Sequence, residues 1–502
     1  MKQPPKITVS MIVKNEEKYL RECLESVKGV ADEIVIVDTG STDNTKNIAG
    51  EFGAAIYNYE WINNFSEARN YALSKSAGDW ILYLDADERL SADSIHELKN
   101  ISVTNDLTGF RCLVNNIDEV NGMPKFMRYT RLFRNSQGIK FTGRVHEQID
   151  DSLIENGYQL KNAGIEIIHI GYNIPAEGVK KKAERNLSLL KEEREKNGTA
   201  YNAYQLANSY SILEEHEAAN SFYLMSVEDG NLNREYKAHA YLNLSGYEFK
   251  RHNTEKAIEY LDKGMQSDAS LPLLNLLAAD IFFRLNKKDE SLEYCKKAFL
   301  ENKKITCGRN ESALAIGLKP EAILSKGIYY ALLAADNNKL NYFLSELNKE
   351  NVRLHVLMNK LIKNNTISAA EKKEIADLMS ADNIDVFLVL IESYRDKQSA
   401  LEILKAVKNS FNNNSKFLKT LGLLYFENNL YDEAVRVFEE SLALGEKDPA
   451  SVFYLISVLI QNNQLEKIPD LLLLAEKEFG NIPEFNSKLE ILKRKLGVLF
   501  NN

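Results

Sequence analysis

Short apolar runs and amphipathic stretches alternate along the first part of the chain. Three runs rich in β-branched and aromatic residues predict strands: KITVSMIV (6–13), DEIVIVD (32–38) and DWILYLDAD (79–87). Between them, EEKYLRECLESVKGV (16–30) and FSEARNYALSKSAG (65–78) place apolar residues at helical spacing. Strands that alternate with helices predict a parallel sheet with helices on both faces, which is an α/β fold.

Polar residues cluster where these predicted strands end. VDTGSTD follows the second strand and LDADE ends the third. In a parallel α/β sheet, ligands bind beyond the carboxyl ends of the strands. We therefore expect Asp38, Asp43, Asp85 and Asp87 on one rim of the sheet, with Asp43 capping a helix from Asn44.

The pattern changes from about residue 109 onwards. GFRCLVNNIDEVNGMPKFMRYTRLFRN, IKFTGRVHEQI and GIEIIHIGYNIP predict strands joined by turns. We interpret them as a mixed β region that completes the same domain. Pro175 and Gly178 mark its end, so the sequence predicts an N-terminal α/β domain over residues 1–178.

Helical patterns fill the remainder, and several stretches are similar to one another. In LANSYSILEEHEAANSFY, LSGYEFKRHNTEKAIEYL, AADIFFRLNKKDESLEYC and LGLLYFENNLYDEAVRVF, small and large residues alternate so that two antiparallel helices can pack closely. Ala257 and Ser291, which correspond, lie 34 residues apart. This pattern resembles the tetratricopeptide repeat, whose period is 34. We expect an all-α repeat domain over 179–502, clearest at 200–300 and 415–475; a generic helical bundle is the alternative.

Composition and charge narrow the class of protein. A chain of 502 residues predicts two or more domains, and a net charge of −9 argues against a nucleic-acid partner. The four cysteines are far apart, which argues against a disulfide framework or a zinc site. The first residues show no signal-peptide pattern, and no apolar run is long enough to span a membrane. These features favour a cytoplasmic protein.

Asp85 and Asp87 are the first candidates for chemistry. Residues i and i+2 of a strand share a face, so two carboxylates in a D-x-D motif can meet at one point. Carboxylate oxygens suit Mg²⁺ or Mn²⁺. The alternative is structural, with one aspartate capping the helix that follows.

Four segments in order strengthen the metal interpretation: MIVKNEE, IVDTGSTDNT, FSEARNYAL and GDWILYLDADE. Together they resemble the family 2 glycosyltransferases of the Rossmann-like GT-A fold, over roughly residues 6–172. The resemblance implies an inverting transferase with a nucleotide-sugar site that includes Val13, Asn15, Glu16, Asp38, Arg69, Asp85 and Ala86.

Individual roles follow from the same resemblance. Asp38 would accept the N3–H of uracil, although an Asx turn around Gly40 is the alternative. Arg69 would complement the diphosphate, or be a solvated helix charge. Asp85 would contact the ribose or the metal, and Asp87 would bind a Mn²⁺ or Mg²⁺ ion that bridges the diphosphate.

The mixed β region supplies the last candidates. The resemblance implies that an acidic residue near the acceptor is the general base and that a later histidine completes the metal site. Glu147 and His169, 22 residues later, fit those roles, and His146 is the alternative base because imidazole is poised near neutral pH. A structural pairing of His146 with Glu147, or a core position for His169, is the alternative.

The helical half suggests what the acceptor is. Repeat arrays offer extended surfaces for peptides and proteins. A GT-A domain followed by such repeats is similar to bacterial peptide (glycocin) S/O-glycosyltransferases and flagellin-modifying enzymes. The resemblance implies a UDP-sugar donor, a Ser, Thr or Cys acceptor side chain in a peptide or protein, and a homodimer through the helical part. A transferase that builds a cell-surface or lipopolysaccharide-core glycan is the alternative, and a binding protein with an inactive GT-A domain is a third.

Overall fold

The computed structural model describes residues 5–101, 106–116, 125–170, 176–228, 230–306, 312, 314–444 and 449–500. The segment 171–175, with Pro175 of the predicted boundary, lies outside the described residues. The chain divides into two compact units, Met1–Pro320 and Glu321–Asn502. Helices that follow the sheet therefore share the first unit with it, and the boundary at residue 178 stays a prediction about sequence domains.

One mixed sheet organises the first unit. In the described part of the chain its strands are β1 (Ile7–Val13), β2 (Glu33–Asp38), β3 (Ala55–Asn58), β4 (Trp80–Tyr83), β5 (Glu88–Leu90), β6 (Thr108–Asn116), β7 (Lys125–Arg134), β8 (Gln159–His169) and β9 (Leu314–Ile316). Their order is β3-β2-β1-β4-β7-β6-β8-β5, with β9 paired to β7. Strands β3, β2, β1 and β4 are parallel, whereas β7 is antiparallel to β4, β6 and β9.

Helices cover the sheet and then form the rest of the chain. Those within the sheet region are α1 (Leu20–Val27), α2 (Thr45–Glu51), α3 (Phe65–Lys75), α4 (Ser94–Ile101) and α5 (Asp150–Glu155). Those that follow in the first unit are α6 (Ala176–Asn197), α7 (Ala200–Ile212), α8 (His216–Glu228), α9 (Arg234–Lys250), α10 (Thr254–Ser267), α11 (Pro272–Arg284) and α12 (Lys288–Thr306).

The second unit is helical throughout its described residues. Its α-helices are α13 (Pro320–Ala334), α14 (Asn337–Glu350), α15 (Val352–Ile362), α16 (Ala369–Leu378), α17 (Ile384–Ser393), α18 (Lys397–Phe411), α19 (Ser415–Glu427), α20 (Tyr431–Ala443), α21 (Ala450–Gln461), α22 (Ile468–Phe479) and α23 (Pro483–Phe500). None of the helices in the described ranges combines the length and the apolar character that crossing a membrane requires.

Both sequence-predicted classes of structure are present. The inner strands β1 and β4 are buried along almost their whole length, as expected for parallel strands covered on both faces. Helix α1 buries Leu20, Cys23, Leu24 and Val27, the residues that gave it a helical pattern. The expected α/β domain followed by a helical repeat domain is therefore confirmed.

Close helix pairs confirm the repeats. In the first pair, Ser245 on α9 donates to Ala257 O on α10. In the next pair the serine is on the second helix, and Ser291 on α12 donates to Ala279 O on α11. A left-handed residue joins each of these pairs, His252 in one and Asn286 in the next, 34 positions apart. The small residues therefore allow the paired helices to pack at short distance.

Three details differ from the sequence prediction. The strand predicted over 79–87 ends at Tyr83, and Asp85 and Asp87 lie in the turn that leads to β5. The stretch IKFTGRVHEQI contains no long strand but a loop closed by an isolated bridge between Thr142 and Gln148. In addition, β9 lies in the 305–410 region that the sequence predicted as helical.

The packing of α19 against α20 gives a direct test. A Cβ on Gly422 would lie 2.8 Å from the Phe438 ring, so Gly422→Ala should destabilise the second unit by about 1–3 kcal/mol. Chemical denaturation followed by circular dichroism measures the change. Gly497→Ala is the control, because nothing lies within 4 Å of its Cβ position and alanine is the better helix former. Equal effects of the two substitutions would contradict this packing.

Candidate functional site

The carboxyl ends of β1 and β2 meet at one rim, as predicted. Val13 is the register partner of Asp38. Beyond β2, Asp38 Oδ1 accepts hydrogen bonds from Gly40 N and Ser41 N, each at 3.0 Å. Gly40 has φ +107°, a conformation that favours glycine, so the Asx turn weighed as an alternative is present.

Asp38 also keeps one unused acceptor. Its side chain is 1% exposed, and Oδ2 has no hydrogen-bond partner within the described residues. A buried acceptor without a donor costs free energy unless a ligand supplies that donor. The turn and a ligand contact are therefore compatible, since each uses a different oxygen.

Asn15 and Asp43 tie the neighbouring loops together. Asn15 N donates to Ser41 Oγ at 2.9 Å, and Asn15 Oδ1 accepts from Thr42 N at 2.8 Å. Asp43 Oδ1 accepts from Thr45 N at 3.0 Å, so it satisfies the first turn of α2, which begins at Thr45. Asn15 thus has a structural role in this loop, and its predicted nucleotide contact stays a prediction.

Asp85 and Asp87 occupy a tight turn rather than a strand. Glu88 N donates to Asp85 O at 3.0 Å, and Asp85 N donates to Glu88 Oε2 at 2.9 Å. The prediction that the two aspartates share a strand face was therefore wrong. The chain must leave β4 here to reach β8, where Glu88 is the register partner of His169.

Arg69 joins two of the predicted site residues. It projects from α3, is 6% exposed, and donates from Nη2 to Asp85 Oδ1 at 2.7 Å and from Nε to Glu147. The alternative of a solvated helix charge is therefore wrong, because burial and both carboxylates occupy this guanidinium. Its predicted contact with a diphosphate stays a prediction.

A second buried arginine was missed by the sequence analysis. Arg131 is 7% exposed and donates to Glu88 Oε1 at 2.6 Å, with Asp85 Oδ2 at 3.8 Å. Both guanidinium groups lie over the Tyr83 ring, 4.9 Å from its centroid for Arg69 and 4.5 Å for Arg131. The basic residues that recur along β7 were the available signal, but a bulge in the β6–β7 pairing hides the direction of Arg131.

The charged groups of the site shift the pKa values of Asp85 and Glu16 in opposite directions. Burial alone would raise the pKa of Asp85, but Arg69 and Arg131 hold it below its usual range. Burial, together with the negative charges of Asp87 and Asp85, raises the pKa of Glu16 to about 7. The cleft is therefore negative at this end, which favours a cation.

Asp87 and His169 converge at that point. His169 Nε2 lies 3.2 Å from Asp87 Oδ2, and His169 Nδ1 lies 2.8 Å from Asn116 Oδ1. Burial lowers the pKa of His169, but the hydrogen bond and charge of Asp87 raise it overall. Asn116 accepts from the Nδ1–H tautomer, which directs Nε2 towards Asp87, the arrangement of a histidine that binds a metal. His169 is therefore not only a core residue, since its ring also contacts Asp87 and Asn116.

The complete set of three metal ligands is not assembled. Within the ranges that the structure describes, no group of three or more His, Cys, Asp or Glu side chains is arranged to hold one ion. Asp85 faces Arg69 and Arg131 instead. The residues fit a divalent ion held by Asp87 and His169, with its other ligands from a bound diphosphate or water. Asp85 as a metal ligand stays a prediction.

Nine of the eleven predicted site residues line one cleft of about 750 Å³, which we call the Asp87 cleft. They are Val13, Glu16, Arg69, Asp85, Ala86, Asp87, His146, Glu147 and His169. Asn15 and Asp38 belong to the adjoining loops and are not among the lining residues. The sequence therefore predicted most of one continuous site.

A second cleft, of about 610 Å³, adjoins the first and was not predicted; we call it the Tyr201 cleft. Strands β6 and β7 and residues 142–151 line one side, and α6, α7 and residues 231–236 line the other. Val145, His146 and Glu147 line both clefts. His146 has φ +54°, and desolvation lowers its pKa although the charge of Glu147 opposes this.

Comparison with known proteins places the first part of the chain. Residues 8–152 match the family described as glycosyl transferase family 2. A TPR repeat-containing protein of Synechococcus elongatus is 39% identical over 172 residues, 33% of this chain and 42% of that protein. The SPbeta prophage-derived glycosyltransferase SunS of Bacillus subtilis is 33% identical over 194 residues, 38% and 45% of the two chains. The chain therefore spans less than half the length of these relatives.

Solved structures resemble separate parts of the chain. Glucosyl-3-phosphoglycerate synthase of Mycobacterium tuberculosis, in complex with Mn²⁺, uridine diphosphate and phosphoglyceric acid, is 24% identical with a TM-score of 0.19, over 22% of this chain and 43% of that one. A tetratricopeptide repeat protein of Parabacteroides merdae is 9% identical with a TM-score of 0.38, over 58% of this chain and 97% of that one.

The raised pKa of Glu16 predicts a pH effect on stability. The folded protein holds this proton up to about pH 7, whereas an unfolded glutamate releases it near its ordinary value of 4.5. The contribution of Glu16 to stability is therefore fully present below the unfolded value and is lost as the pH rises from that value through the folded one. Glu16→Gln should flatten this fall in metal-free buffer, as measured by thermal unfolding at about pH 5 and about pH 8.

The exposed Glu25 on α1 supplies the matched control for that measurement. Glu25→Gln should leave the pH dependence of the unfolding midpoint as it is in the unmodified protein. If Glu16→Gln also leaves it unchanged, burial and the charges of Asp87 and Asp85 do not raise the pKa of Glu16 in the folded protein.

Proposed function

We propose that this chain, whose residues 8–152 match glycosyl transferase family 2, transfers a sugar from a UDP-sugar to a Ser, Thr or Cys side chain of a peptide or protein. The observation that carries the proposal is the position of Glu147, which lines both clefts. A donor in one cleft and an acceptor in the other would meet at this carboxylate.

The Asp87 cleft supports the donor half of the proposal. Asp38 Oδ2 is the buried acceptor that the N3–H of uracil would satisfy. Asp87 and His169 would hold Mn²⁺ or Mg²⁺, which neutralises the charge that develops on the departing diphosphate. The anomeric carbon would then face Glu147 at the opposite end of the cleft.

The Tyr201 cleft supports the acceptor half. Its helical wall presents the phenol of Tyr201 and Tyr236 and the amides of Asn202, Gln205 and Asn231. Side-chain amides both donate and accept, which matches the alternating N–H and C=O groups of a peptide. The helical repeats would thus bind part of the acceptor. Tyrosine rings also suit sugar rings, so a glycan acceptor is the second candidate.

The reaction would be a single displacement. Glu147 takes the proton of the acceptor hydroxyl or thiol, whose oxygen or sulfur forms a bond with the anomeric carbon as the bond to the diphosphate breaks. The configuration of the sugar inverts. Arg69 orients Glu147 by donating to it from Nε. His146 is the alternative base, since its lowered pKa keeps the imidazole neutral near pH 7.

Two further features of the proposal rest on the sequence. The spacing of the cysteines favours a cytoplasmic location. A homodimer through the helical part follows from resemblance alone.

Donor turnover tests the donor half. With Mn²⁺ and UDP-glucose, UDP-N-acetylglucosamine or UDP-galactose, the protein should release UDP, whereas GDP-mannose should not be turned over to GDP. Asp87→Asn should slow UDP release at least about 100-fold because the ion loses a charged ligand. Asp93→Asn, an exposed aspartate nearby, is the control. Mass spectrometry of lysate peptides and glycans detects the acceptor. Equal turnover by Asp87→Asn and the unmodified protein would overturn the metal role.

A pair of substitutions decides which residue is the base. Glu147→Gln keeps the shape of the side chain but cannot take a proton, so kcat should fall about 10²- to 10⁴-fold while UDP binding by calorimetry is retained. His146→Gln should then have the smaller effect. If instead His146→Gln causes the larger loss, the imidazole is the base and Glu147 is a structural partner of Arg69.

A further inference from the structure

We propose that helices α6 and α7 form part of the catalytic apparatus by holding the loop that carries Glu147, with Tyr201 as a positioning residue that acts through Gln148. The catalytic consequence rests on the proposed function, whereas the mechanical part does not. The loop consists of residues 142–148 and is called the Glu147 loop below.

The Glu147 loop is short and closed at its base. Thr142 N donates to Gln148 O and Gln148 N donates to Thr142 O, each at 2.9 Å. Gly143 and His146 both have positive φ, at +94° and +54°. For a residue with a Cβ such a conformation costs of the order of 1 kcal/mol or more and persists only when surrounding contacts impose it. External contacts must therefore hold this loop.

Helix α3 supplies the contacts on the sheet side. Phe65 N donates to Arg144 O at 2.9 Å, Ser66 Oγ donates to Gly143 O, and Arg69 Nε donates to Glu147. These bonds fix one side of the loop to the domain that holds Asp87.

Helix α6 supplies contacts on the other side. Glu193 Oε2 accepts from Arg144 N at 3.2 Å, and Glu192 pairs with the Arg144 guanidinium. Val145 is buried in a small cluster with Leu189, Leu190 and Leu206. The loop is therefore packed and hydrogen-bonded to helices that follow it by about fifty residues.

Tyr201, on α7, completes this support next to Glu147. Its hydroxyl accepts from Gln148 Nε2 at 3.2 Å and from Gln205 Nε2 at 2.7 Å. Gln148 Nε2 also lies 3.2 Å from His146 O, so one amide connects α7 with both neighbours of the candidate base. The ring of Tyr201 packs against the ring of Tyr236, with 5.4 Å between the two ring centroids. This contact restrains the position of the Tyr201 hydroxyl. A helix of the repeat region thus determines where Glu147 lies.

Removal of a single hydroxyl tests this connection. Tyr201→Phe keeps the ring and its packing against Tyr236 but removes the hydroxyl that accepts from Gln148 Nε2. Hydrogen exchange of the full chain, measured by mass spectrometry, should show faster exchange of the Thr142, Arg144 and Gln148 amides. Tyr204→Phe is the matched control on the same helix, because that hydroxyl bonds to His239 at 2.9 Å and lies outside both clefts.

Kinetics then separate positioning from general stability. UDP release in Tyr201→Phe should fall about fivefold in kcat with an unchanged KM for the donor, the effect of about one neutral hydrogen bond. Gln148→Ala should lower kcat by at least as much, and Tyr201→Phe should add nothing further in the double variant, because both substitutions break one connection. Additive losses would mean that Tyr201 does not act through Gln148.

The outcomes for the inference and for the proposed function are distinct. If the unmodified protein releases no UDP from any donor, the proposed function fails, but the exchange experiment still decides whether Tyr201 holds the loop. If Tyr201→Phe exchanges at the rate of the unmodified protein, the inference is overturned whatever the activity. Faster exchange in Tyr201→Phe, with Tyr204→Phe unchanged, supports it.

Discussion

The site depends on one buried cation, Arg69, which donates to Asp85 and to Glu147. A guanidinium that is 6% exposed must be paired, because an unpaired buried charge costs several kcal/mol. Its planar fork fixes the separation and orientation of two carboxylates that come from distant parts of the chain. Arg131 pairs with Glu88 in a similar way and also lies over the Tyr83 ring. The rim of the sheet is therefore held in shape by charge pairs around two buried arginines as well as by apolar packing.

This network relates the two clefts to each other. Asp85 and Asp87 both line the Asp87 cleft, and Glu147 lies where that cleft meets the Tyr201 cleft. Because Arg69 contacts both, a shift of either carboxylate changes the hydrogen bonding of the other. The leaving-group side and the nucleophile side of a displacement would thus be fixed by a common residue, which is a form of preorganisation. Helices α6 and α7 add to this constraint, because Glu193 and Tyr201 accept hydrogen bonds from the Glu147 loop.

Local patterns predicted what local physics determines. The apolar pattern located β1, β2, α1 and α3, and the strand ends placed Asp85 and Asp87 at the rim. The other predicted residues of the Asp87 cleft, such as Arg69, Glu147 and His169, came from the resemblance to family 2 glycosyltransferases and not from local pattern. The aspartates of the D-x-D motif were predicted at the correct point of the chain but in a strand, whereas they lie in a turn. The side chain of Glu88 accepts a hydrogen bond from Asp85 N and so satisfies a backbone group that a strand partner would otherwise satisfy. Arg131 was missed because a bulge in β7 breaks the period of two on which side-chain direction depends. The Tyr201 cleft was missed because it forms only when helices from beyond residue 178 lie against β6 and β7.

Strand β9 has a consequence for how the protein is made. Leu314–Ile316 pairs with Lys125–Met127 at the start of β7 and completes the sheet from a point nearly two hundred residues further along the chain. Until those three residues leave the ribosome, that stretch of β7 has an open edge, and unpaired edges invite pairing with other chains. The closing contact is of very long range, so it is costly in loop entropy and forms late. The seven helices α6–α12 lie between β7 and β9 in the chain, so closure of this edge depends on how the repeat region brings β9 back to the sheet.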